Sequence, residues 1–238
     1  MFTILQSLIS RLWQAITGTR RNSASTPTAA TTQQKREQAG ESAELAMQKD
    51  INDLLVQYPG ATALHGSLLV FHRGRRNEFS IEVDHILITK KHVYVIETKY
   101  QSGDIYPSPH KSEWRVRTRY GEKFMRNAFK QAQNHQNVLS DQFQIDTGMI
   151  PLVAIVGKSV TLHDPDMNVF FQPELAEVIA YFEGFGRSQF RPKQLAKRFS
   201  YLASDAPDDW ERHVHRARRA KSHAQSRMSP VKNLADVN

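Results

Sequence analysis

Residues 78–99 constrain this chain more than any other stretch: Glu-Phe-Ser-Ile-Glu-Val-Asp-His-Ile-Leu-Ile-Thr-Lys-Lys-His-Val-Tyr-Val-Ile-Glu-Thr-Lys. Residues 80–89 are β-branched and alternating, and residues 92–99 centre on Val93, Tyr94, Val95 and Ile96. Both runs predict strands. Lys90-Lys91 is the turn between them, although it lacks the Asn-Gly chemistry that a two-residue hairpin prefers. Pairing Thr89 with His92 sets Asp84 opposite Glu97 and Glu82 opposite Lys99. Strand side chains repeat every second residue, so these four emerge on one face.

Two carboxylates facing each other across a sheet repel. Lys99 compensates part of that charge, and a hard divalent cation would compensate more, since Mg²⁺ is held by one or two carboxylates plus substrate phosphates. Ile86 and Val95 would keep such a site partly dry. A salt-bridge cluster on a solvated sheet face predicts the same residues. The order Asp84, strand turn, Glu97-Thr98-Lys99 is similar to the signature of PD-(D/E)xK nucleases. The words Glu82-Val83-Asp84-His85 and Val95-Ile96-Glu97-Thr98-Lys99, followed by Gly103, resemble its nuclease-related (NERD) branch.

Several expectations come from that resemblance, which spans residues 40–157. It implies an α/β, restriction-endonuclease-like core, αβββαβ, a mixed sheet flanked by helices, with extra C-terminal helices. It implies metal-assisted hydrolysis of phosphodiester bonds. Asp84 and Glu97 would hold Mg²⁺ or Mn²⁺, with the Thr98 carbonyl as a possible further ligand. Glu41, in a Gly40-Glu41 pair like the family's opening, would complete the metal site, with Glu44 as its competitor one turn on. Lys99 would neutralise charge on the attacking water or the phosphate. Gln131 falls on the family's glutamine position, where its amide would orient water or the scissile phosphate. Ala128 stands where the family has proline after Asn127. The implied partner is nucleic acid, with DNA ahead of RNA. The competing reading keeps the fold without catalysis, as a module binding nucleic acid or a protein.

Composition fits either reading. The formal net charge of +8 favours polyanions, whether nucleic acid or an anionic membrane. The absence of cysteine excludes disulfides and cysteine-held zinc, and fits a reducing, cytoplasmic compartment. No apolar run reaches the roughly 20 residues of a membrane-spanning helix.

Residues 1–17 have amphipathic helical spacing through Ile4, Leu5, Leu8, Ile9, Leu12, Trp13 and Ile16. They predict either a helix at a membrane surface, making the protein peripherally membrane-associated, or one docked on the domain or a partner. Residues 18–38, rich in Thr, Ser, Ala and Gln, read as a flexible linker. A nuclease-like domain over residues 39–204 follows, opening with a helix over 37–58 whose inward stripe is Leu45, Ile51, Leu54 and Leu55. Thr62 to His72 reads as the first core strand, and residues 73–77 as a basic turn. Arg115, Arg117 and Arg119 share one face of an alternating strand: either a phosphate-tracking strip or an edge guarded by charge. A long helix is expected over residues 122–143, with Asn127, Gln131, Asn134 and His135 on a polar stripe and His135 a candidate acid or base. Strands over 151–156 and 169–171 and helices over 175–182 and 192–202 close the domain. Residues 205–238 form a basic helical tail. Nothing in the sequence fixes the oligomeric state.

Overall fold

The computed structural model describes residues 27–73 and 77–228, with residues 33–204 forming one compact unit. The amphipathic segment 1–17 and the centre of the basic turn at 74–76 lie outside the described residues.

Helix α1 runs Pro27–Leu54. It overturns the linker reading for residues 27–38: proline is pre-organised for a first helical turn, and Ala, Gln and Lys continue it well. Its buried stripe is Ala43, Met47, Ile51 and Leu54, while Leu45, expected inside, is 52% exposed. Strands β1 (Thr62–Arg73), β2 (Asn77–Ile88) and β3 (Val93–Tyr100) follow. Strand β3 then leads into a second sheet through β4 (Gly103–Tyr106), β5 (Glu113–Thr118) and β6 (Gly121–Arg126). Helix α2 (Ala128–Phe143) returns the chain to β7 (Met149–Val156). Short strands β8 (Val160–Leu162) and β9 (Val169–Phe171) complete the sheets, and α3 (Leu175–Glu183) and α4 (Pro192–Ser200) cover them. Helix α5 (Pro207–Met228) belongs to the other unit, and carries the basic side chains Arg212, Arg216, Arg218 and Arg219.

The main sheet has the order β1-β2-β3-β7-β9, antiparallel up to β3 and parallel beyond it. One face packs on α1 and α3 through Met47, Ile51, Leu87, Tyr94, Ile96 and Ile179. The other packs on α2 and α4 through Ile86, Val95, Leu139 and Phe199. This is the expected mixed α/β sheet flanked by helices, with a second sheet, β6-β5-β4-β8, made of three strands inserted between β3 and α2 and of β8, which follows β7. The inserted sheet buries Ile105, Trp114 and Val116 with Ala128 and Ala132 of α2. Among the described residues no helix is long and apolar enough to cross a membrane.

The β2–β3 turn falls at Lys90-Lys91, with the Thr89 N–H donating to the His92 carbonyl at 2.9 Å. The expected register holds from Ile88↔Val93 to His85↔Ile96 and pairing then stops, one step short of Asp84 and Glu97. Strand β2 also turns over at this point. Phe79, Ile81 and Val83 pack in the same cluster as Ile86 and Ile88. Odd and even positions of an uninterrupted strand point to opposite faces, so β2 reverses its facing between Val83 and Ile86. On β1, Gly66 takes a left-handed φ of +54° between the pairs His65↔His85 and Ser67↔Val83, directly across from Asp84. Any other L-residue in that conformation costs roughly 1–2 kcal/mol.

One sequence expectation fails at β6. Residues 122–126 do not belong to the long helix. They pair with β5 from Glu113↔Arg126 to Thr118↔Gly121, and the helix starts only after Asn127.

Candidate active site

The site lies where β2 and β3 part. Beyond Ile96 strand β3 keeps its parallel pairing with β7, Glu97↔Val153 to Lys99↔Ile155, but is no longer paired with β2. The Asp84 carboxylate fills the gap, accepting the Thr98 backbone N–H at 2.7 Å through Oδ2. A side chain thus stands in for a backbone rung and fixes the acid against the motif strand.

Glu97 is 2% exposed. Its Oε1 accepts from the Lys99 ammonium, and its Oε2 lies 3.9 Å from His135 Nδ1 on α2. Burial, then the Asp84 charge, push its carboxyl up to about 8, against the pull of Lys99. Burial also raises Asp84, with Lys99 and the Thr98 N–H opposing. Lys99 feels the same site in reverse. Burial acts to lower its ammonium, but Glu97, Asp84 and Glu44 outweigh that and hold it above the ordinary lysine range. Two carboxylates therefore share one ammonium, with Glu97 closed off from water and Asp84 and Lys99 partly open to it.

Two further acids rim the cluster. Glu82 is raised to about 7 by the protein around it and by Asp84. Glu44 is raised to about 7 by desolvation, then by Asp84 and Glu82. Glu41 and Glu44 are both exposed, and the Glu41 charge registers at Glu44. The structure thus brings together Asp84, Glu97 and Lys99, with Glu44 rather than Glu41 as the helix acid that feels Asp84 and acts on Lys99. Sequence spacing could not separate the two, because positions three apart share a helix face. Gln131 lies one turn before His135 on α2, so the two share the face presented beside Glu97.

Asn127, grouped by spacing with the polar stripe, does something else. It is 4% exposed and caps α2, its Oδ1 accepting from the Lys130 N–H at 3.0 Å. Its Nδ2 donates to the carbonyls of Ser108 and Lys111, both at 2.7 Å. Ala128 at the first helical position is fully buried, and the cap sets the helix entry. Asn127→Ala is expected to cost about 2–4 kcal/mol, since it removes a cap and strands two carbonyls. Asn127→Asp keeps the cap but turns a carboxylate oxygen toward those two carbonyls, so it should cost at least as much as the alanine, as read by urea denaturation.

A histidine pair sits beside the site on β1 and β2. His65 Nδ1 and His85 Nδ1 are 2.9 Å apart, and His65 Nε2 is 3.3 Å from Asn52 Oδ1. Burial lowers His65 to about 4; burial and then His65 lower His85 to about 3. The pair is neutral at pH 7. No signal in the sequence marked it, since the two residues are 20 positions apart.

Among the described residues no three His, Asp or Glu side chains gather closely enough to enclose a metal by themselves. A three-acid cage of Asp84, Glu97 and Glu41 is therefore not formed. Mg²⁺ asks less, being commonly held by one or two carboxylates with water and substrate phosphates making up the rest. The donor set of Asp84 and Glu97, two acids short of one positive charge, fits an ion of that kind.

Protein VC1899 from Vibrio cholerae has a crystal structure that aligns with 66% of this chain and 33% of its own, at 11% identity and a TM-score of 0.35. This chain thus spans about a third of that protein's length, and a likeness so distant does not bear on the site. No curated protein matches the chain. The acid-and-lysine constellation instead falls within a segment that matches a family as a whole: residues 39–156 match the nuclease-related domain, NERD, and through them the chain belongs to that family.

Proposed function

We propose that this protein is a metal-dependent nuclease that hydrolyses phosphodiester bonds in nucleic acid. The observation that carries the reading is the charge imbalance at the parting of β2 and β3: half-buried Asp84 and fully buried Glu97 share the single ammonium of Lys99. A structural ion pair has no use for the surplus acid, which costs stability wherever it ionises without a counter-charge. A phosphodiesterase does, because it must bind a cation and a phosphate at one place.

In this reading Asp84 and Glu97 hold Mg²⁺ or Mn²⁺. When bound, that ion supplies Lewis acidity toward the phosphate and lowers the pKa of water. The chain's own groups do the rest. The Thr98 N–H keeps Asp84 in place, and the Lys99 ammonium orients Glu97 and offsets the charge that gathers as water attacks phosphorus. His135 and Gln131 present polar atoms from α2 on the same side. The attacking water gives up a proton to solvent, the P–O bond to the leaving oxygen breaks, and that oxygen takes up a proton from solvent in its turn.

The test uses the full chain on plasmid DNA and on single-stranded DNA and RNA, with Mg²⁺, with Mn²⁺ and with chelator. Parent protein is expected to cleave only with divalent cation. Asp84→Asn, which still offers an oxygen to the Thr98 N–H, should lose roughly 10²–10³-fold or more. Equal cleavage by parent and Asp84→Asn would falsify the assignment. Cation-independent binding with no cleavage of any substrate would leave the non-catalytic module.

A further inference from the structure

The inserted sheet has an outer face that the hydrolytic site does not use. One row of that face crosses all four strands. Phe124 on β6 pairs directly with Arg115 on β5, and Arg115 with Tyr106 on β4. His163, just past β8, continues the row, its N–H donating to the Ile105 carbonyl at 2.9 Å. The planar groups stack along it. The Arg115 guanidinium lies 4.0 Å from the Tyr106 ring centre, and the Tyr106 and His163 rings are 4.3 Å apart at 7°. At the hairpin tip a second pair forms, with Arg119 lying 4.6 Å from the Tyr120 ring centre.

Two of these rings stand in water. Tyr120 is 84% exposed and Phe124 62%. The hairpin carrying them, residues 113–126, holds five basic side chains, Arg115, Arg117, Arg119, Lys123 and Arg126, against Glu113 and Glu122. An edge guarded only by charge needs no exposed aromatic rings. Rings left open among arginines match what single-stranded nucleic acid offers, a base face followed by a phosphate. A duplex keeps its base faces covered and has none to give.

The hairpin is also tied to the motif strand. Lys123 Nζ donates to Gln101 Oε1 at 2.8 Å, two residues beyond Lys99. Gly103 takes a φ of +95°, and a Cβ there would collide with the Arg117 carbonyl. The sheet is therefore held at the exit of β3.

We infer that the β5–β6 hairpin is a binding platform for single-stranded DNA, with bases stacking on Phe124 and Tyr120 and phosphates meeting Arg117, Arg119 and Arg126. Tyr106 is already covered on both sides and serves to align Arg115. The platform offers planes and cations and little to recognise a 2′-hydroxyl, which is why DNA is the occupant. The inference rests on the nucleic-acid reading above and adds the strand state and the surface.

Fluorescence anisotropy tests it, with the full chain in chelator and a labelled single-stranded oligodeoxynucleotide, the matching duplex and the matching RNA strand. Single-stranded DNA should bind more tightly than duplex. Phe124→Ala and Tyr120→Ala should each weaken it by about 5- to 150-fold, the loss of one stacked base, and Phe124→Tyr should bind within about threefold of parent, since every aromatic ring offers a stacking face. Arg117→Gln should flatten the salt dependence by about 0.7 in log–log slope. Alanine variants that bind as parent does overturn the platform. So does duplex bound as tightly as single strand, and RNA bound tenfold better than DNA through the same residues overturns the choice of DNA. No cleavage enters this measurement, so failure of the hydrolytic reading and failure of the platform are read separately.

Discussion

Glu97→Gln is expected to abolish metal-dependent cleavage and at the same time to raise the melting temperature of the metal-free protein at pH 8. The two effects have one cause. Glu97 lies buried beside Asp84 with its carboxyl raised to about 8, whereas in the unfolded chain it titrates near the ordinary value of 4.5. Below pH 4.5 both forms carry the proton and nothing is lost. As pH rises the unfolded chain ionises first, so the folded state binds more protons and stability falls until about pH 8. Glu44 and Glu82, raised to about 7, act in the same direction, but both are exposed and water screens most of their contribution. His65 and His85 act oppositely, losing stability as pH falls below 6.5, so the clean interval is pH 6.5 to 8. Across it the metal-free parent should lose about 1–2 kcal/mol, and Glu97→Gln distinctly less. At pH 8 the variant should be more stable by on the order of 2 kcal/mol, a few degrees in melting temperature. Mg²⁺ should restore the parent and leave the variant unmoved. Calorimetry in buffers of different ionisation heat should show a proton released on binding. A variant that melts below the parent in chelator at pH 8 sinks the account of the surplus acid.

Lys99→Gln should move stability the other way. Removing the ammonium leaves Glu97 and Asp84 facing each other with nothing between. Breaking a buried pair from one side is strongly destabilising, whereas removing both partners often is not. The Lys99 side chain is 29% exposed, which tempers the effect. The expected loss is about 2–4 kcal/mol in chelator above pH 7, partly recovered by Mg²⁺. Cleavage should fall roughly 10²–10³-fold, because the charge on the reacting phosphate loses its fixed counterpart. The double variant Lys99→Gln/Glu97→Gln should regain most of the lost stability and none of the activity. Thermal melts of the four proteins close the cycle. Additive effects would mean that the two side chains do not act on each other, against the contact seen between them.

The hairpin that places these groups was legible because its information is local. Alternation, β-branching and a two-residue turn fix which residues oppose which, and the structure keeps that register through His85↔Ile96. The failure of pairing just past it was not legible. It falls where Gly66, on a different strand and across from Asp84, adopts a backbone conformation that spacing does not report. The helix acid was ambiguous for a related reason: Glu41 and Glu44 differ by three positions, and only the packing of Ala43 and Met47 sets the rotation of α1. The inserted sheet was half seen. Glu113–Thr118 alternates plainly, but Gly121–Arg126 has a weak pattern that a following helix absorbs, and pairing with β5 decides it. Spacing places Asn127 on the polar stripe of a helix and cannot report the buried cap, because an asparagine looks the same whether its amide meets water or carbonyls.

The bond from the Thr98 N–H to Asp84 has a consequence for how this protein can decay. Glu97 and Lys99 are expected to be replaceable together by neutral groups with little harm to folding, whereas Asp84 also takes the place of a rung of the sheet. On the proposed function, a descendant released from selection for cleavage would shed the glutamate and the lysine early and hold on to an aspartate or asparagine at the parting of the strands. Retention of that one position marks ancestry and says nothing about activity; the matched pair two residues apart on β3 is what a living enzyme has to keep.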